Sequence, residues 1–253
     1  MRRPRSSSRA ADLLRGCAGL CGLFAVAELL PLDPALLPPA SVVLARAVAL
    51  LTDLDFVAQA GATLMACTAG LLLTMALAIP AGVLLGALPR LESALRPLHE
   101  FARPIPSVAL IPLALFVLPV THEAKVALIV YTCSWPVLIN TMYGIRDVDP
   151  LAKDTLRAFG FGRLAVLCRV SLPAAAPFIG TGVRVAASVS LIVAISVELV
   201  AGGSGIGAYL TAAGADGRND TMIAGSIWVG LAGVTVNALL TAAERRVFHW
   251  RRT

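Results

Sequence analysis

Few side chains in this 253-residue sequence could do chemistry, and they do not cluster. His99, His122 and His249 flank different apolar runs and lack metal-ligand spacing. The five cysteines, Cys17, Cys21, Cys67, Cys133 and Cys168, contain no C-x-x-C. They read as small apolar fillers, not metal ligands or disulfide partners. Asp53 with Asp55 and Asp147 with Asp149 are i,i+2 pairs, which point to different faces of a helix and cannot share a proton. G-x-x-x-x-G-K-[ST] is absent and the lysines are Lys125 and Lys153, so this route to cradling ATP phosphates is closed. "GGSGIG" (202–207) does not have the G-x-G-x-x-G spacing and follows an apolar helix pattern in place of a strand. It reads as a tight turn. A membrane hydrolase or a nucleotide-binding enzyme therefore lacks a site.

The elements around these residues explain why. Hydrophobic residues make up 58% of the chain and charged residues 14%, against about half and a quarter in soluble globules. Mean hydropathy is +0.82. Uncharged runs such as 64–88, 126–145 and 222–243 approach or exceed the roughly 20 residues that cross a bilayer. Six spans are expected, near 13–30, 61–88, 105–120, 124–145, 174–199 and 222–243. The third carries several prolines and should be kinked. The first is read as a helix that stays in the membrane behind a basic cytoplasmic N-terminus, 1–12, in preference to a cleaved signal peptide. Segment 41–59 reads as one amphipathic helix at the interface.

Lysine and arginine set the orientation. With the N-terminus inside, seventeen of the 21 fall in the inner segments 1–15, 89–104, 146–172 and 244–253. Only Arg46, Lys125 and Arg218 fall outside, and Arg184 lies within a span. This split predicts an all-α polytopic membrane protein, N-in and C-in. A net charge of +6 is then a topology signal, with no call for nucleic acid. Arg184 is either a pathway group that attracts an anion or a structural pair or snorkelling charge. Glu28 and Glu198 end spans on the outer side, as solvated helix ends or as gate groups. Gly82 and Gly86 permit close helix packing.

The inner loop 146–172 is long for a helical bundle. Within it "PLAKDTLRAFG" predicts a short helix, 150–160, with Asp149 as N-cap, Pro150 at the first position and Gly160 as the stop. A second helix, "GRLAVLCRVSL", follows, and Pro173 is expected to turn the chain into span five. Such a protruding helix either plugs into a soluble partner or lies on anionic lipid.

This loop resembles the cytoplasmic signature of binding-protein-dependent ABC importer permeases, Glu-Ala-Ala, three residues, Gly, nine residues, Ile-x-Leu-Pro. Gly160 is followed nine residues later by Val170-Ser171-Leu172-Pro173, whereas Asp154-Thr155-Leu156 replaces Glu-Ala-Ala. The resemblance is nearest to permeases for sulfonates, taurine and nitrate. It extends through "LPPASVVLARAVALL" (37–51), "IPAGVLLGALPRLESALRPL" (79–98), "RPIPSVALIPLALF" (103–116) and "FIGTGVRVAASVSLIVAISVELVAGGSGIGAYL" (178–210). Two departures, Ala66 where a basic residue is common and "FVLPVTHEAK" after span three, leave the substrate open.

The resemblance implies a type I ABC importer transmembrane domain over 13–253 in a bacterial inner membrane, importing a small organic anion or nitrate. Its coupling residues would be Asp154, Thr155, Leu156, Arg157, Gly160, Phe161, Val170, Leu172 and Pro173. Arg184 and Glu198 would be pathway candidates, and Gly203, Ser204, Gly205 and Gly207 would form the outer turn. The implied partners are two ABC ATPase subunits, which hold the ATP and magnesium, an extracytoplasmic solute-binding protein and a second permease copy. The chain itself would carry no cofactor. An ion-coupled secondary transporter is the alternative, but it should show paired intramembrane acids or broken helices in both halves.

Overall fold

The computed structural model describes residues 37–247 and, before them, only the single positions Arg15, Gly19, Gly22 and Glu28. The N-terminal segment 1–12 and most of the expected first span thus lie outside the described residues. All regular structure among the described residues is helical. Helix α1 is Ala40–Leu50 and α2 is Leu54–Ala87. They replace the single amphipathic helix expected over 41–59. The break arises because the Asp53 side chain accepts hydrogen bonds from the Asp55 and Phe56 amides, capping α2. Pro39, which precedes α1, offers no side-chain cap. The Glu28 carboxylate supplies one by accepting from the Ser41 amide and hydroxyl at 3.0 and 2.9 Å.

Helix α3, Pro89–Ala102, lies at the inner end and is followed by a 3₁₀ turn, Ser107–Leu110, and α4, Ile111–Val117. Then come α5, Thr121–Arg146, and α6, Pro150–Ala158. Helix α7, Arg163–Val166, passes through a π-helical stretch, Leu167–Ser171, into α8, Leu172–Ala201. The expected turn at Pro173 is therefore absent. The wide π turn stands just ahead of a proline that has no N–H for the preceding turn, and the helix runs on. Helices α9, Ile206–Ala215, and α10, Asn219–Val247, complete the described chain.

Four helical runs are long and apolar enough to cross a membrane: Leu54–Ala87, Thr121–Arg146, Arg163–Ala215 and Asn219–Arg246. The expected third span differs. Its 3₁₀ turn and α4 together rise about 18 Å, short of about 30 Å of hydrocarbon. With α3 they form one pair bent by 81°. Packing shows that this bent segment returns the chain across the molecule. Gly70 faces Ile129, Gly82 faces Thr141 and Gly86 faces Ile145, always 59 residues apart. Helices α2 and α5 are therefore parallel, so the chain between them must travel back.

Helices α5 and α8 are antiparallel. Gly144 meets Ala175 and Phe178, Gly182 meets Val137, and the Cys133 thiol donates to the Ala186 carbonyl at 3.2 Å. The resulting α2–α5–α8 slab encloses Cys67, Ile129, Cys133, Val137, Ala186 and Ala194. A second core at the outer end seats α1 on α9 and α10 through Val43, Leu50, Phe56, Tyr209 and Leu210. Its polar edges are satisfied as well. Trp228 Nε1 donates to Ala47 O at 2.9 Å, and Arg46 Nε donates to Thr221 Oγ1 at 2.8 Å.

Candidate functional site

The loop at the inner end of α5 folds as its residues dictate. Asp149 Oδ1 accepts from the Leu151 amide at 2.8 Å, and Pro150 opens α6 where its missing N–H costs nothing. At the other end the Phe161 amide reaches back to Leu156 O at 3.1 Å, while Gly160 adopts φ +84°. This glycine-closed helix end is the Schellman arrangement. Nothing lies within 4 Å of a Cβ built on Gly160, so the demand for glycine there is the left-handed backbone, not space.

The surface of α6 is unusual for a water-facing helix. Leu151 is 72% exposed and Phe159, its C-cap, 78%. Asp154 pairs with Arg157 at 2.9 Å on the open side, next to exposed Thr155, and Leu156 is half-buried. The helix is tied to α5 by Lys153 Nζ, which donates to Ile145 O at 3.2 Å. Arg146, the last residue of α5, pairs with Glu92 of α3 at 3.2 Å and donates to Leu85 O at 3.3 Å. Phe161 lies under the Arg169 guanidinium, 4.9 Å from its ring centre. Val170 falls in the π stretch, and Leu172 and Pro173 begin α8. A cleft of about 810 Å³ opens here, lined by Lys153, Arg157 and Arg163.

At the opposite end of α5 the structure assembles what the sequence scattered. Lys125 and Glu198 form an ion pair of 2.7 Å, with side chains 1% and 0% exposed. The expectation that Lys125 belongs to an outer segment gives way to a lysine enclosed within α5. Lys125 Nζ also donates to Ser204 O at 2.8 Å. The Glu198 carboxylate accepts from Thr63 Oγ1 at 2.9 and 3.0 Å and from the Gly207 amide at 2.9 Å. The Gly205 and Ile206 amides donate to Gln59 Oε1 and Thr63 Oγ1 at 2.7 and 2.9 Å. A Cβ on Gly205, whose φ is +133°, would overlap the Glu198 carboxylate. Gly203 and Ser204 are exposed at the tip of this turn.

Thr63, Gln59 and Lys125 escaped the reading of the sequence. The available signal was Lys125 itself, a lone cation at the head of an apolar span. Arg184 is partly exposed and pairs with Glu244 of α10 at 3.2 Å, beside an apolar groove that includes Met75 and Leu240. Among the described residues no group of three or more His, Cys, Asp or Glu could hold a metal ion.

Residues 78–249 match the family model described as "Binding-protein-dependent transport system inner membrane component". This chain therefore belongs to the permease subunits of ABC importers, and it is a multi-pass membrane protein with the type I transmembrane domain. The nitrate import permease NrtB of Leptolyngbya laminosa is 31% identical over 78% of this chain and 70% of its own length. A probable ABC transporter permease of Brucella abortus (strain 2308) is 32% identical over 95% of each chain. The bicarbonate transport permease CmpB of Synechococcus elongatus is 30% identical over 74% of this chain and 68% of its own length. Among solved structures, an inward-facing form of the MetNI methionine ABC transporter superposes with a TM-score of 0.65 at 17% identity. It covers 78% of this chain and 95% of that one.

Proposed function

We propose that two copies of this chain form the path of an inner-membrane importer for a small anion, delivered by an extracytoplasmic binding protein and driven by two ABC ATPase subunits. Hydrolysis of ATP, with its magnesium, takes place on those partner chains. The observation that carries this reading is α6. It is capped at both ends, anchored to α5 through Lys153, and presents Leu151 and Phe159 bare at the inner end. Apolar side chains held on a preformed helix suit insertion into a groove on a soluble partner. A segment lying on lipid would bury the same apolar face in the bilayer, and copurification separates the two outcomes. Gly160, Leu172 and Pro173 bracket this lever, and Asp154, Thr155 and Leu156 sit where the partner would be met.

The anionic cargo is supported by relatives named for nitrate and bicarbonate import. Sulfonates are small anions too, and taurine, a zwitterion, carries the same sulfonate group. The test is to coexpress the permease with candidate ABC ATPase subunits from the same genome and copurify them. Leu151→Asp with Phe159→Asp should abolish copurification and transport while the permease stays folded, because a charge in an apolar groove is left unpaired. Retention of the ATPase by that variant would refute the docking role. Titrating the binding protein that stimulates this importer with nitrate, bicarbonate and taurine identifies the cargo.

A further inference from the structure

We infer that Lys125 and Glu198 are positioning residues. They form a strut that fixes the outer turn 202–207 to the head of α5, and they make α5 the rod by which contact at that turn reaches the coupling segment. The inference rests on reading α6 as the ATPase-docking element.

The turn is held from three sides. Its Ser204 carbonyl is taken by Lys125 of α5, its Gly205 and Ile206 amides by Gln59 and Thr63 of α2, and its Gly207 amide by Glu198 of α8. Thr121, the first residue of α5, also packs on Gly203, 3.1 Å from where a Cβ would stand. Gly203 and Ser204 remain exposed, so a partner on the outer side meets backbone already clamped to the slab. Lys125 is the only one of these groups that links the turn to α5 by a side-chain charge, and Glu198 is its counter-ion.

From Lys125 the same helix runs without interruption to Arg146, and α5 as a whole is about 39 Å long. Pro136 lies inside it, but Gly182 of α8 packs against that turn and braces it. The inner end leads within three residues to α6 and is secured by Arg146 to Glu92 and by Lys153 to Ile145 O. A load placed on the outer turn therefore has a continuous path of short polar contacts and one helix to the coupling segment. Buried ion pairs are poor sources of net stability compared with apolar packing, and their best-attested use is to specify one arrangement. Holding the turn in register with α5 is such a use.

The test uses the assembled importer in proteoliposomes, with its binding protein saturated by whichever of nitrate, bicarbonate or taurine it binds. Lys125→Met and Glu198→Gln should keep basal ATP hydrolysis, while stimulation by the loaded binding protein falls about tenfold, within the range of coupling energies between distant sites. With Cys17, Cys21 and Cys168 replaced by Ser, a thiol reporter placed by Ser204→Cys should react severalfold faster once Lys125 is replaced, as the turn loses its tether. Lys125→Met/Glu198→Met, which removes the α5 link without stranding a buried charge, provides the same comparison should Lys125→Met alone fail to assemble. Full stimulation in an assembled variant, or an unchanged reporter rate, overturns the strut. A wild-type chain that recruits no ATPase overturns the docking reading beneath it, a distinguishable outcome.

Discussion

Single residues separate into those that hold the backbone and those that hold charge. Asp53 does the first at the outer end of α2. The Phe56 amide it accepts from, and then Tyr209 and the Asp55 amide, keep its carboxyl below its ordinary value of 3.8. Its contribution is therefore fully present above that ordinary value and is lost as pH falls through the lowered one. Asp53→Ala should remove about 1 kcal/mol of helix capping and flatten the acid limb of a thermal-stability profile. Lys125 does the second. Replacing it by Met leaves Glu198 buried without its cation, which should lower stability by about 3–5 kcal/mol. The loss is readable as an earlier melting transition in detergent. Lys125→Met/Glu198→Met should recover part of it, because the stranded charge is gone. Glu198 is legible in the sequence as a candidate, whereas Lys125 reads only as an outer-segment cation. Their pairing is not legible, since it joins positions 73 apart.

At the scale of elements, close packing rather than propensity decides what is tolerated. Gly82 stands so near α5 that a Cβ would lie 2.7 Å from Thr141 Cβ and 2.8 Å from the Leu138 carbonyl. Gly61, in the same helix, has nothing within 4 Å. Alanine in a helix interior is favoured over glycine by about 0.5–1 kcal/mol. Gly61→Ala should thus leave or slightly raise the melting temperature, whereas Gly82→Ala should lower it by forcing α2 and α5 apart. Equal shifts would contradict the packing. Periodicity and capping rules anticipated α6 to its cap residues, because Asp149, Pro150 and Gly160 act locally. They missed the break at Asp53 and the unbroken run past Pro173. The first is fixed by the Asp55 and Phe56 amides on Asp53, with Tyr209 Oη donating to its other oxygen, and in the second the π stretch absorbs the proline.

For the whole molecule, the count of lysines and arginines places both the basic loop and the C-terminal end of α10 on the inner side. Cys168 is exposed within that loop, whereas Cys67 and Cys133 are buried. With Cys17 and Cys21 replaced by Ser, a membrane-impermeant maleimide should label Cys168 only after the cells are permeabilised. Labelling of intact cells would invert the topology. The sequence by itself determined the membrane class, the orientation and the capped helix within 150–160. These follow from hydropathy summed over a span, from charge asymmetry and from capping chemistry, all local along the chain. Only the tertiary structure decided that the return from α2 to α5, which the six-span reading already required, is made by a bent pair of short helices and not by one kinked span over 105–120. It also decided that Glu198 is an enclosed partner of Lys125 and no solvated helix end. Burial is a property of three helices and a turn packed together, and no window of sequence contains all four.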